Sequence, residues 1–78
     1  MQEKIKQLFA GMLQESPESL LAEATPDDIR KWDSMQHLIV VASVEEEFGI
    51  DIDPDEIVAM YENYGAFETM ILKKVNGS

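Results

Sequence analysis

The chain has 78 residues, with 16 Asp and Glu against six Lys and Arg, and a formal net charge of −10. This length allows one small domain, and a hydrophobic content of 45% is enough to form a core. The acidity disfavours nucleic acid and anionic membranes as partners and favours basic protein surfaces. Because cysteine is absent, the chain has no disulfide and no thiol nucleophile of its own. We expect residues 1–78 to form a single cytoplasmic, monomeric domain without membrane insertion, with a frayed tail at 75–78.

An amphipathic first helix is predicted over residues 3–14, where apolar residues recur at helical spacing. Pro17 should end it, because proline disfavours helical geometry in the preceding residue. A long connection over 15–32 follows, and connections of this length are uncommon in compact domains and often functional. Three apolar side chains are predicted to anchor this connection to the core: Leu20, Leu21 and Ile29.

The second helix should begin at Asp33, which has the spacing of a capping residue with Gln36, and end before Gly49. Met35 and Ile39 are expected to lie away from its inner face and to be partly exposed. His37 is predicted to be an exposed helix residue. The positions predicted to face the core recur about once per turn: Leu38, Val41, Val44 and Phe48, with Val40 beside them.

Two further helices complete the predicted architecture, an all-α bundle of three main helices and one short one with a long first loop. Ile50 and Ile52 should be buried in a loop. A short helix is predicted from Pro54 to about Tyr61. The segment 63–65 should break the chain before a last helix over about 66–75.

Ser34 lies in the first turn of the predicted second helix, where backbone N–H groups lack intrahelical partners. A helix N-terminus is a favourable place for a phosphate. A serine at an exposed junction between loop and helix is therefore well placed to hold a phosphodiester. Serine near a helix start is also common without such a role, with Asp33 capping the helix alone.

The sequence from Asp33 to Met35, the apolar helix that follows, and the acidic helix end at 45–50 together resemble the acyl carrier proteins. These are the phosphopantetheine-bearing carriers of fatty acid and polyketide synthesis, and the resemblance covers nearly the whole chain. It implies a non-catalytic discrete carrier, in which a phosphopantetheinyl transferase moves 4′-phosphopantetheine from coenzyme A onto Ser34. The thiol of this arm would then hold acyl or aminoacyl groups as thioesters.

The resemblance also implies a partner-binding face on the second helix. Basic patches on a loading ligase and on downstream acyl-transfer enzymes would meet its acids, and its apolar side chains would add contact area. For Ile39, a place at the edge of the core is an equally good interpretation. Carried over to this sequence, the partner face consists of Asp33, Met35, Ile39, Ala42, Glu45 and Glu46.

Several residues around Ser34 differ from the usual pattern of fatty acid carriers. Met35 stands in place of a leucine, Ile39 in place of an acid, and Trp32 in place of a small residue. Gln36 and His37 further reduce the acidity near the serine. These differences favour a specialised lipid, polyketide, peptide or surface-glycan pathway.

A hydrolase pair of Ser34 and His37 is not favoured. Such a pair needs a third group that orients the base and an oxyanion site inside a cleft, and side chains on one turn of a helix could hardly converge in that way. A calcium loop is the better alternative. Four acids fall at EF-hand spacing: Asp51, Asp53, Asp55 and Glu62. However, Glu56 stands where the loop needs glycine, so no specific metal site is predicted and weak, nonspecific cation binding is more plausible. An EF-hand-like site, or an acidic interaction module with unmodified Ser34, stays as the alternative function.

Overall fold

The computed structural model describes residues 2–77, in which four helices and no strands are found. The helices are α1 (Gln2–Leu13), α2 (Ser34–Phe48), α3 (Pro54–Met60) and α4 (Tyr64–Val75), and a 3-10 turn at Pro17–Ser19 lies in the long first connection. The predicted all-α bundle is confirmed. Across residues 2–77, no helix combines the length and the apolar character needed to cross a bilayer.

Local sequence signals set the ends of the second helix where they were predicted. The Asp33 carboxylate accepts a hydrogen bond from the Gln36 backbone N–H at 2.8 Å and caps α2. Gly49 ends α2 with a left-handed φ of 64°, a conformation that glycine adopts more readily than residues with a Cβ. The first residue of α2 is therefore Ser34.

An aromatic cluster forms the centre of the core. Phe9 of α1 makes edge-to-face contacts with Trp32, at 5.0 Å between ring centroids, and with Phe67 of α4, at 4.8 Å. Trp32 is 1% exposed, a core position that no pattern in the sequence indicated. Pairs of this geometry contribute about 0.5–1.5 kcal/mol beyond the burial of their area. Trp32 thus fixes the end of the long connection against α1 and α4.

The predicted inner face of α2 is confirmed at Val40, Val41 and Val44 but was wrong at one position. Leu38 is 57% exposed, whereas His37 is buried together with Val40, Val41 and Val44. The polar His37 takes the core position because its ring nitrogens find partners inside the fold. Leu38, the next residue, is consequently turned outward.

The predicted anchor Leu21 was also wrong, since its side chain is 58% exposed. The connection crosses the start of α4, where the Ala22 carbonyl accepts from Gly65 N–H and the Ala24 carbonyl from Tyr64 N–H, both at 2.8 Å. This path turns the small Ala24 side chain inward and Leu21 outward. The other two anchors, Leu20 and Ile29, are buried as predicted.

The last helix begins two residues earlier than predicted. The Asn63 side chain accepts from Ala66 N–H at 2.7 Å and caps α4, so Tyr64 is already helical and is buried. At the other end Val75 is still helical, and Asn76 and Gly77 follow in a turn. Ser78, the last residue of the predicted tail, lies outside the described residues.

Candidate functional site

Ser34 is exposed at the N-terminus of α2. Its neighbour Asp33 supplies the capping carboxylate, so the Ser34 hydroxyl is not needed to hold the start of the helix. The macrodipole and the first-turn N–H groups favour negative charge at this end of α2. The structure therefore presents a hydroxyl group at the surface in a setting that suits a phosphodiester.

An apolar pocket of about 190 Å³ lies beside Ser34, between α2 and α3. Besides Ser34, two polar side chains line the pocket, but their polar atoms form hydrogen bonds within the fold. The Tyr61 hydroxyl donates to the Trp32 carbonyl at 3.4 Å, and the ring nitrogens of His37 are hydrogen-bonded within the fold. The pocket is lined by Ser34, His37, Leu38, Ile57, Val58 and Tyr61.

His37 is 3% exposed, so its predicted exposure was wrong. Its Nδ1 lies 3.0 Å from the indole nitrogen of Trp32, and its Nε2 lies 2.7 Å from the Ile57 carbonyl oxygen. Because both nitrogens are occupied, His37 cannot serve as a base for the Ser34 hydroxyl. Its spacing from Val40, Val41 and Val44 was the one sequence signal that could have placed it in the core.

Most of the predicted partner face is open to solvent. Met35 is 72% exposed and Ile39 46% exposed, while Asp33, Ala42 and Glu46 are exposed as well. Glu45 differs from the others because it is half-buried. Its carboxylate accepts a hydrogen bond from the Ile52 backbone N–H at 2.8 Å.

The acidic segment after α2 does not have the form of a calcium loop. Pro54–Met60, which an EF-hand would need as loop, is the helix α3. Glu56 accepts from the Asp53 N–H at 2.9 Å and pairs with Lys74 of α4 at 2.8 Å. In the described part of the chain, no three His, Asp or Glu side chains come together as a metal site. These observations disfavour the EF-hand alternative.

Comparison with known proteins gives the family. Residues 3–71 match the family described as phosphopantetheine attachment site. The chain belongs to this family. The resemblance to acyl carrier proteins inferred from the sequence is thereby confirmed, and such proteins are carriers without catalytic activity.

Two acyl carrier proteins illustrate the relationship. The one from Thermosynechococcus vestitus is 37% identical over 54 residues, which cover 69% of this chain and 65%, just under two thirds, of that protein. The solution structure of the holo acyl carrier protein from Geobacter metallireducens has a TM-score of 0.81 at 23% identity, covering 96% of this chain and 85% of that chain. The second similarity shows that the fold is shared.

The cofactor of the family is covalently bound 4′-phosphopantetheine. The residues present fit this group. An exposed hydroxyl can accept the phosphodiester, the N-terminus of α2 favours its charge, and the apolar pocket offers a surface beside it.

Proposed function

We propose that this chain is an acyl carrier protein in which the Ser34 hydroxyl carries 4′-phosphopantetheine. The observation that carries the proposal is the exposed Ser34 at the first residue of α2, inside the segment that matches the family. When bound, the group would supply a thiol that holds acyl or aminoacyl groups as thioesters. The chain has no cysteine, so a thiol from outside is required for this chemistry.

The residues around Ser34 would hold and present the arm rather than react. Asp33 keeps the start of α2 in place through its bond to Gln36 and adds a negative charge beside Ser34. The α2 N-terminus offsets the charge of the phosphate. Leu38 and Val58, which line the pocket and are 57% and 75% exposed, provide apolar surface next to the arm.

The proposed partners are a phosphopantetheinyl transferase, an acyl- or aminoacyl-loading ligase and downstream acyl-transfer enzymes. The net charge of −10 favours approach to basic patches on these proteins. Met35 and Ile39 offer apolar contact on the exposed side of α2. We place the protein in the cytoplasm, as a monomer, in a specialised lipid, polyketide, peptide or surface-glycan pathway, because the segment around Ser34 differs from ordinary fatty acid carriers.

Loading of Ser34 is the direct test. The purified chain is incubated with coenzyme A, magnesium and a broad-specificity transferase, and its intact mass is measured. We expect a gain of one phosphopantetheinyl unit, which peptide mapping should place on Ser34. The Ser34→Ala variant should show no gain, while Ser43→Ala, a matched change further along the same helix, should load normally. Unchanged mass with several transferases would contradict the proposal and favour the unmodified interaction module.

The partner face has its own test in the kinetics of loading. Met35→Ala removes an apolar side chain that is 72% exposed on α2, whereas Leu21→Ala removes one that is 58% exposed on the long connection. We expect the first variant to slow transferase loading several-fold and the second to leave it unchanged. Equal rates for both variants would remove Met35 from the proposed face.

A calcium titration tests the EF-hand alternative. A functional EF-hand would order on binding and should give a large change in circular dichroism at micromolar calcium. We expect no such change, because α3 is already helical and its first-turn Glu56 is paired with Lys74.

A further inference from the structure

The buried His37 imidazole joins three parts of the molecule. It belongs to α2, its Nδ1 contacts the Trp32 indole nitrogen of the long connection at 3.0 Å, and its Nε2 contacts the Ile57 carbonyl of α3 at 2.7 Å. Both His37 and Trp32 are almost completely buried, at 3% and 1% exposed. Among residues 2–77, Tyr64 is buried to a similar degree, at 2% exposed, and its hydroxyl donates to Glu68. The buried imidazole of His37 likewise requires hydrogen-bond partners of defined chemistry.

These partners determine where the imidazole carries its proton. The indole nitrogen of Trp32 can only donate a hydrogen bond, so Nδ1 of His37 must accept it with a free lone pair. The carbonyl of Ile57 can only accept, so Nε2 must carry the hydrogen. The arrangement thus selects neutral His37 with the proton on Nε2.

Protonation is compatible with one of the two hydrogen bonds. A proton taken from solvent onto Nδ1 would face the N–H of Trp32, and two donors cannot bond to each other. The bond from Nε2 to Ile57 would remain. Burial lowers the pKa of His37 below its ordinary value of 6.5, and the Ile57 carbonyl opposes this shift in part.

The surroundings of the imidazole contain few groups that could offset its charge. Just after α3, the titratable Tyr61 lies 4.9 Å away between ring centroids, and from α4 the uncharged Phe67 lies 6.2 Å away. The long connection contributes the Trp32 indole. Asp33, at the start of α2, uses its carboxylate on the Gln36 N–H. The Trp32 contact is therefore the one most directly affected by protonation.

Trp32 stands two residues before Ser34, so its position sets the path of the chain into α2. Its ring packs against Phe9 of α1, and its carbonyl accepts from the hydroxyl of Tyr61, the residue that follows α3. We propose that neutral His37 is a positioning residue that holds Trp32, and with it the segment leading into Ser34, against α3, and that protonation of Nδ1 releases Trp32. The role of Ser34 as a loading site rests on the proposed function, whereas the coupling between His37 and Trp32 does not.

The chain has one histidine and one tryptophan, so NMR can follow each ring without ambiguity. At pH 8 the imidazole nitrogen shifts should show the proton on Nε2. As the pH falls, the Trp32 indole proton and the Ser34 amide should move with the same midpoint as His37. A proton on Nδ1 at pH 8, or an indole signal that stays constant while His37 titrates, would overturn the proposal. The experiment uses the unloaded chain, so its outcome is independent of whether Ser34 accepts phosphopantetheine.

Two variants separate positioning from simple structural support. Asn in place of His37 keeps an acceptor near the Nδ1 position but cannot titrate, so in H37N the Trp32 and Ser34 signals should stay constant over the same pH interval. In W32F the conflict between two donors is absent, so the His37 midpoint should rise relative to the natural chain. Persisting transitions in H37N, or an unchanged midpoint in W32F, would overturn the coupling. If either variant fails to fold, the titration of the natural chain still decides.

The same coupling should appear in stability. Because the pKa of His37 is lower in the folded than in the unfolded chain, the unfolded chain binds more protons as the pH falls below 6.5. The unfolding equilibrium constant should then rise by at most tenfold for each pH unit. H37N should lack this pH dependence of unfolding over the same interval. An identical pH dependence in H37N and the natural chain would contradict the coupling.

Discussion

The carboxylate of Glu45 accepts a hydrogen bond from the backbone N–H of Ile52 at 2.8 Å. This bond joins the last turns of α2 to the loop before α3, where Ile52 is 6% exposed. The next acid, Glu46, is exposed to solvent. Neighbouring acids in one charged run therefore have different roles, one within the fold and one at the surface.

We expect Glu45→Ala to lower the free energy of unfolding by about 1 kcal/mol relative to Glu46→Ala, because only the first change leaves the Ile52 N–H without its acceptor. Glu46→Ala also removes one negative charge, so it controls for the change in net charge. Urea unfolding followed by circular dichroism measures both. An equal loss in the two variants would mean that the bond to Ile52 does not stabilise the fold.

The corrected inner face of α2 predicts opposite tolerance at two apolar positions. Val41→Ala should cost about 2 kcal/mol of unfolding free energy, because Val41 is 2% exposed and its lost methyl groups leave a cavity. Leu38→Ala should change stability by less than about 0.5 kcal/mol, because Leu38 is 57% exposed. Thermal and urea unfolding of the two variants test this. A loss of stability in Leu38→Ala as large as that in Val41→Ala would support the prediction that Leu38 faces the core.

Two glycines should respond to the same substitution with opposite signs. A Cβ on Gly65 would lie 2.9 Å from the Ala22 carbonyl oxygen, a backbone atom that cannot move without disturbing the hydrogen bond to Gly65 N–H. Gly65→Ala should therefore destabilise the fold by roughly 1–3 kcal/mol. Gly11 in α1 has open space around it, so Gly11→Ala should stabilise by about 0.5–1 kcal/mol. Melting temperatures that shift in the same direction would contradict this contrast.

Glu56 should contribute a stability component that disappears in acid. The hydrogen bond from Lys74 and the bond from the Asp53 N–H lower the pKa of Glu56 below its ordinary value of 4.5. A lowered pKa in the folded chain means that the contribution is complete above pH 4.5 and is lost as the pH falls through the folded-state pKa. Glu56→Gln should melt at a lower temperature than the natural chain at pH 7, and this gap should narrow in acid.

A matched control for this measurement is Asp55→Asn, which changes an exposed acid in the same first turn of α3. Its melting temperature relative to the natural chain should change less between neutral and acidic pH. If the gap for Glu56→Gln stays constant down to acidic pH, the pairing with Lys74 does not lower the pKa of Glu56 as the structure implies.

Moderate salt or magnesium should raise the melting temperature of the natural chain. Sixteen acids against six basic residues repel one another in the compact state, and added ions screen this repulsion. Sodium and magnesium salts compared at equal ionic strength separate general screening from a stronger effect of the divalent ion. A melting temperature that does not respond to either salt would show that the acids are not strained by their proximity.

Signals contained within a few neighbouring residues were interpreted correctly from the sequence. Asp33 caps α2, Gly49 ends it and Pro54 begins α3, each through backbone geometry that depends on adjacent residues. The burial of Ile52 also followed from its local pattern. Asn63 is also a helix-capping residue type, but it was interpreted as part of a chain break. The predicted start of α4 was therefore misplaced.

The sequence by itself determined the helical architecture and the place of Ser34 at the start of α2, because caps, prolines and hydrophobic period act over short distances. Only the tertiary structure decided that His37 is buried and Leu38 exposed. The reason is that His37 is satisfied by the Ile57 carbonyl, 20 residues further along the chain, and by a Trp32 indole already fixed among aromatic rings from α1 and α4. The burial of a polar side chain depends on such distant partners, and no local pattern contains them.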